Sequence, residues 1–258
     1  AFDTAKTEKE VLFDLWNGEP SGTAQYGRLR LELTGASSGS PFLLTALSGA
    51  AASQKGVQNQ SLGTNITKAS IADWTHVALS LKNSGSDIQT NLYINGALNQ
   101  RQTLSNAAFN PVTGTLISYI GALQTAPSGN VYHAQRSNFE GAGKFSGSID
   151  EFRFWKTERS SKDIGRYYWT NVGAGTNTDE ANTDLGIYYK FNEGITEDVS
   201  TDANVLDYSG RVSNGIWTGY QAGARNTGSA IVLSKAAKEE FKDPTIYSSH
   251  PEYIATLG

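Results

Sequence analysis

Acidic, amide and aromatic side chains that could do chemistry gather within and just ahead of one stretch, Phe145-Ser-Gly-Ser-Ile-Asp-Glu-Phe-Arg-Phe-Trp155. In an extended strand, successive side chains point to opposite faces. Asp150, Phe152 and Phe154 would then share one face, and Ile149, Glu151 and Arg153 the other. Two large aromatics mark the first face as the buried one, so Asp150 is expected at the edge of a core. An acid there must be hydrogen-bonded or paired, because an isolated buried charge is costly. Two chemistries satisfy that demand. Asp150 can be a ligand to a calcium ion, which takes about six to eight oxygens from carboxylates, carbonyls and water. It can equally accept backbone N–H bonds that pin a neighbouring loop. In the loop before this stretch stand Tyr132, His133 and Arg136. Aromatic and planar polar groups on a loop over a rigid sheet are what sugar binding uses, so these are candidate ligand contacts.

Other constellations are thin. His76, His133 and His250 lie far apart, without metal-ligand spacing. No nucleophile elbow of the form Gly-x-Ser-x-Gly and no phosphate loop is present.

The elements that must position these residues are mostly short strands. Val11–Trp16 and Arg28–Leu33 flank a turn at Asn17-Gly-Glu-Pro20. Leu29, Leu31 and Leu33 alternate with Arg28, Arg30 and Glu32, which predicts a strand with one wet face. Residues 35–72 have little pattern beyond Phe42-Leu-Leu44 and read as loops with one or two weak strands. Val77, Leu79 and Leu81 alternate with polar or small neighbours. Thr90–Ile94 then runs into Asn95-Gly96, the strongest short-range hairpin signal, because both turn positions favour positive φ. Leu116–Ile120 reads as a further strand. After Trp155 the period changes: Ser160 and Asp163 form an N-cap arrangement ahead of a short helix over 162–169. Leu185–Phe191, Gly215–Thr218 and Ala230–Leu233 read as strands, with a turn at Asp207–Gly210. Lys235–Lys242 reads as a short helix stopped before Pro244, followed by an extended tail.

The bulk numbers agree. At 258 residues the chain can bury a sizeable core. Its 27 glycines suit tight turns between short strands. A net charge of -4 with 18% charged residues lacks the basic footprint of a nucleic-acid binder, and no apolar run approaches the ~18 residues of a bilayer span. There is no cysteine, hence neither a disulfide framework nor a thiolate zinc site. With no methionine even at position 1, the chain reads as an internal fragment or a processed product.

The order of these signals resembles the laminin-G-like, concanavalin A-like jelly-roll family. Trp74-Thr-His-Val-Ala-Leu79 matches its Trp-x-His-Val-x-Leu strand, and Leu92-Tyr-Ile-Asn-Gly96 its Leu-Tyr-x-Asn/Asp-Gly hairpin. Phe145–Trp155, with a helix after it, matches Phe-x-Gly-x-Ile-Asp-Glu-x-Arg-x-Trp/Tyr. A narrower likeness is to the calcium-dependent pentraxins, whose Asn-Phe-Glu-Gly motif stands here as Asn138-Phe-Glu-Gly141. That likeness implies Glu140 as a second calcium ligand and places Asn138 among the ligand contacts. Other pentraxin ligand positions hold Val131, Tyr132, His133 and Gly143, so it implies one ion at most. Glucanases of the same fold carry Glu-x-Asp-x-(x)-Glu on one strand, to flank the scissile bond. Ser148, Asp150, and Phe152 or Arg153 occupy those positions, and both catalytic glutamates are missing. Residues 172–194 and 243–251 are similar to repeats in structural proteins of tailed bacteriophages.

The chain is therefore read as all-β: a two-sheet antiparallel jelly-roll sandwich, concanavalin A-like, with one short helix and a C-terminal extension. The sandwich spans 1–233, with late strands 185–233 closing the same domain, and 234–258 forms a short helix and connector tail. The expected function is that of a non-enzymatic surface or virion module, extracellular or on the virion surface. It would be an adhesion domain binding glycan or a cell-surface receptor through rim loops. The alternative is an architectural protein–protein module, a spacer or decoration set among neighbouring subunits. Expected sites are Asp150 and Glu140 for at most one Ca2+, and Tyr132, His133, Arg136 and Asn138 for ligand. No catalytic residue, nucleic-acid partner or membrane insertion is expected.

Overall fold

A computed structural model describes residues 4, 9–20, 22–34, 39–50, 53–124, 143–172, 184–193, 198–211 and 213–218. The chain groups into two compact units. Ala1–Gly147 with Glu158–Tyr168 makes the first, and Ser148–Thr157 with Trp169–Gly258 the second.

In the first unit, eight strands form two antiparallel sheets. One has the order β4-β3-β2-β1-β8 and the other β5-β6-β7. The strands are β1 (Glu10–Trp16), β2 (Gly27–Leu33), β3 (Phe42–Ser48), β4 (Lys55–Leu62), β5 (Val77–Ser84), β6 (Asp87–Ile94), β7 (Ala97–Leu104) and β8 (Ile117–Ile120). Leu33, Phe42, Leu44, Leu62, Ile88 and Leu92, all almost wholly buried, form the shared core. Truncating one such Leu to Ala costs about 2–5 kcal/mol. The Asn95-Gly96 hairpin is present, with φ of 49° and 76°; a Cβ on Gly96 would meet the Tyr168 ring at 2.4 Å. The helix α1 (Ser161–Tyr167) starts where expected, the Ser160 hydroxyl accepting the Asp163 N–H at 3.1 Å.

Three expectations need correction. The weak region 35–72 contains two full strands, and β3 is buried along its entire length. The polar face of β2 is not wet. Arg28, Arg30 and Glu32 are 8%, 0% and 0% exposed, because opposite charges from β1 and from β2 itself neutralise them there. Nor is 145–155 one continuous strand. Phe145 packs on the first core, whereas β9 (Phe152–Trp155) pairs in the second unit with β10 (Leu185–Tyr189). Glu151 breaks the extended run with φ 54°, a left-handed backbone uncommon outside glycine.

Trp155, Leu185 and Tyr188 pack together in the second unit, with Val172 against them. A short helix α2 (Val199–Asp202) and a two-stranded ribbon of β11 (Asn204–Val205) and β12 (Gly215–Ile216) follow. The strand expected at 230–233 and the helix and tail expected over 235–258 lie outside the described residues.

Candidate ligand-binding site

Two acids on β1 hold a loop to the first unit. The Asp14 carboxylate accepts Arg28 Nε at 2.8 Å and Nη2 at 2.6 Å, and the Gln124 N–H at 2.9 Å. The Glu10 carboxylate accepts Lys68 Nζ, and the Ser146 N–H at 2.6 Å. Main-chain bonds run beside them: Gly121 N–H to Leu12 C=O, Val11 N–H to Gly143 C=O, and Phe145 N–H to Gly121 C=O. Residues 121–124 and 143–146 are thus tied to β1 as the two stems of segment 125–142. Both acids are 0% exposed, and their burial is tolerable because each meets a cation and a backbone donor. Burial opposes the charge on Arg28, but the Asp14 hydrogen bond and charge outweigh it and raise its pKa. Arg30, held 3.1 Å from Glu32, goes the other way: burial lowers its pKa more than Glu32 raises it.

Segment 125–142 carries Tyr132, His133, Arg136, Asn138 and Glu140, and all five lie outside the described residues. Asp150 is described, and it is exposed rather than set in a core edge. The kink at Glu151 takes it out of register with Phe152 and Phe154. Desolvation of its carboxyl, then the neighbouring charge of Glu151, still push its pKa up to about 6. The acid caught in a network is Glu151, which the alternation argument set aside. Its Oε2 accepts the Tyr188 hydroxyl at 2.6 Å and Arg153 Nη2 at 2.7 Å. Burial and that bond to Glu151 raise the Tyr188 pKa. Among the described residues, no group of three or more His, Asp or Glu gathers as a metal site. Among the described residues, a calcium ion at Asp150 would find its further oxygens only in carbonyls and water.

Other features are structural. His76 packs against the Tyr168 ring, centroids 5.2 Å apart. Asp207 locks the turn expected at 207–210, its carboxylate accepting from Tyr188 N–H, Ser209 N–H and hydroxyl, and Ser213 N–H. Burial would raise the Asp207 pKa, but these bonds lower it. A recess of about 200 Å³ at one end of the first unit is lined by Leu15, Leu29, Leu81, Phe109 and Val112. Arg28 also lines it but is engaged by Asp14, so the recess has little with which to orient a polar ligand. No helix among the described residues is long and apolar enough to cross a membrane.

A family model described as "Concanavalin A-like lectin/glucanases superfamily" matches residues 3–165. No curated protein matches the chain. Among solved structures, the chain is similar to a protein from Bacteroides ovatus provisionally described as carbohydrate-binding. Identity is 21%, with 84% of this chain and 54% of that one covered and a TM-score of 0.40. It is also similar to residues 221–444 of an S-layer domain-containing protein from Clostridium thermocellum. There identity is 19%, coverage 63% of this chain and 64% of that one, and the TM-score 0.25. The chain thus spans about half of the first and under two thirds of the second, and neither likeness bears on function.

Proposed function

The chain belongs to the concanavalin A-like lectin/glucanase superfamily, and from that membership we propose a non-enzymatic module that binds a glycan through segment 125–142. The observation that carries this reading is the double anchoring of that segment's stems. Buried carboxylates at Asp14 and Glu10, each neutralised by a cation, tie both ends to a sheet strand. Fixed ends lower the chain entropy that the segment must lose when it closes on a ligand. Tyr132, His133, Arg136 and Asn138 are the proposed contacts, and Asp150 with Glu140 the proposed ligands of one calcium ion. The proposed setting is extracellular, on a cell or virion surface.

The non-enzymatic assignment rests on missing carboxylates. Retaining and inverting glycosidases need a pair of acids flanking the scissile bond. Here Ser148, and Phe152 or Arg153, stand where the resemblance places the glutamates of the glucanases, and Glu151 is engaged by Arg153 and Tyr188.

The test is a glycan array with and without calcium, on the wild-type chain and on Tyr132→Ala and Arg136→Ala. The expected result is binding to a restricted glycan set, lost in both variants while their melting temperatures hold. Binding to no glycan, or binding indifferent to both substitutions, would overturn the reading and leave the architectural role. Calcium titration of wild type and Asp150→Ala checks the ion separately: heat of binding should be present in the first and absent in the second.

A further inference from the structure

The second unit holds a stack in which cations and rings alternate: Arg153, Tyr188, Lys190, Tyr208. Arg153 Cζ lies 5.2 Å from the Tyr188 ring centroid. Lys190 Nζ lies 5.4 Å from that centroid and 4.8 Å from that of Tyr208. The two tyrosines meet edge to face, centroids 6.3 Å apart. Cations in such positions are attracted by the negative faces of the rings.

The two cations differ in what else they touch. Arg153 is committed, its Nη2 donating to Glu151 at 2.7 Å and to the Thr170 carbonyl at 2.6 Å. Lys190 has two aromatic faces and, among the described residues, no carboxylate within ion-pairing distance. The described acids beside the stack already have donors, although the Glu193 charge reaches Tyr208. Glu151 holds Arg153 and Tyr188, Asp207 holds the turn, and Glu193 accepts the Leu206 N–H at 2.8 Å. An ammonium carries three donors, and rings satisfy none of them as fully as an anion would.

Tyr208 caps the stack with 43% of its surface exposed. It follows Asp207 in the locked turn, and its own N–H bonds the Tyr188 carbonyl at 2.8 Å. The exposed ring is thus held in place before any ligand arrives. A held aromatic face beside a cation without a carboxylate matches a pyranose that bears a negative charge. The C–H face of the sugar covers the ring, and its anionic group takes the ammonium.

We propose that Lys190 and Tyr208 form a subsite for an acidic sugar, one carrying a carboxylate or a sulfate. This rests on the glycan reading above and gives it a charge preference at residues well outside segment 125–142.

The experiment is calorimetric titration of the full chain with three probes: an oligogalacturonate, its neutral methyl ester and a sulfated galactan oligomer. Wild type should bind at least one acidic probe more tightly than the ester, and binding should weaken as salt rises, as for a partly exposed ion pair. Lys190→Gln should weaken acidic binding about tenfold, the size of one charge-assisted hydrogen bond, and leave the ester unchanged. Tyr208→Phe should bind as wild type, and Tyr208→Ala should lose affinity for every probe. Equal acidic binding by wild type and Lys190→Gln overturns the subsite. So does a wild type that binds neutral glycans through segment 125–142 and neither acidic probe, a result that leaves the glycan reading standing. A chain that binds no glycan of any kind removes both.

Discussion

Removing the Asp14 carboxylate tests the anchoring most directly. Its side chain is 0% exposed, that of its partner Arg28 6%, and the pair meets at 2.6 Å. In Asp14→Ala the guanidinium stays buried without its counter-charge, a change that costs about 3–5 kcal/mol in such pairs. The Gln124 N–H also loses its acceptor, which alone costs about 1–3 kcal/mol. The two terms share one carboxylate and do not simply add, so about 4 kcal/mol is the working figure. At roughly 2–4 °C per kcal/mol for a protein of this size, the melting temperature should fall by about 8–16 °C. Asp14→Asn keeps an acceptor for Gln124 and should lose less. The pair of substitutions Asp14→Leu and Arg28→Met removes both charges together and should recover more than half of the loss, because no uncompensated ion remains. Denaturant unfolding of the three variants measures this. A loss below about 1 kcal/mol in Asp14→Ala, the value of an exposed pair, would refute the account of a buried stem anchor.

Asp207→Asn should destabilise the second unit by about 1–3 kcal/mol through its lost turn bonds. Because the folded-state pKa of Asp207 is lowered, its contribution is present above the unfolded value near 3.8. It should therefore fade as pH drops below that value, in wild type but not in the variant, when acid unfolding curves are compared. Gly96→Ala should cost about 1–2 kcal/mol from left-handed strain alone, and more because its Cβ meets Tyr168 at 2.4 Å; thermal melts report it. Tyr188→Phe should leave Glu151 with one donor fewer and destabilise by about 1 kcal/mol. Asp150→Asn runs the other way. A folded pKa near 6 against 3.8 unfolded means wild-type stability falls as pH rises between those values, and the variant should lack that slope.

The parts legible in sequence are those whose causes are local. Asn95-Gly96 forms its hairpin because two adjacent residues tolerate positive φ, and Ser160 caps α1 through a donor three residues on. Alternation of Val77, Leu79 and Leu81 marks β5 because the pleat repeats every two residues. The same alternation misled at Glu151, where one left-handed residue shifts the pleat and carries Asp150 to the surface. It misled again on β2, where Arg28, Arg30 and Glu32 look solvated one by one.

What the sequence by itself determined is the all-β class, the hairpin, the capped helix and the family to which the chain belongs. Only the tertiary structure decided which charges are buried and what they hold. Asp14 reaches Gln124 across 110 positions and Glu10 reaches Ser146 across 136. The stack of Arg153, Tyr188, Lys190 and Tyr208 likewise draws on three separate segments. A short-range pattern records the backbone period and the turn chemistry. It cannot record which distant partner neutralises a charge, because that depends on strand order, and strand order emerges only when the sheets close over their core.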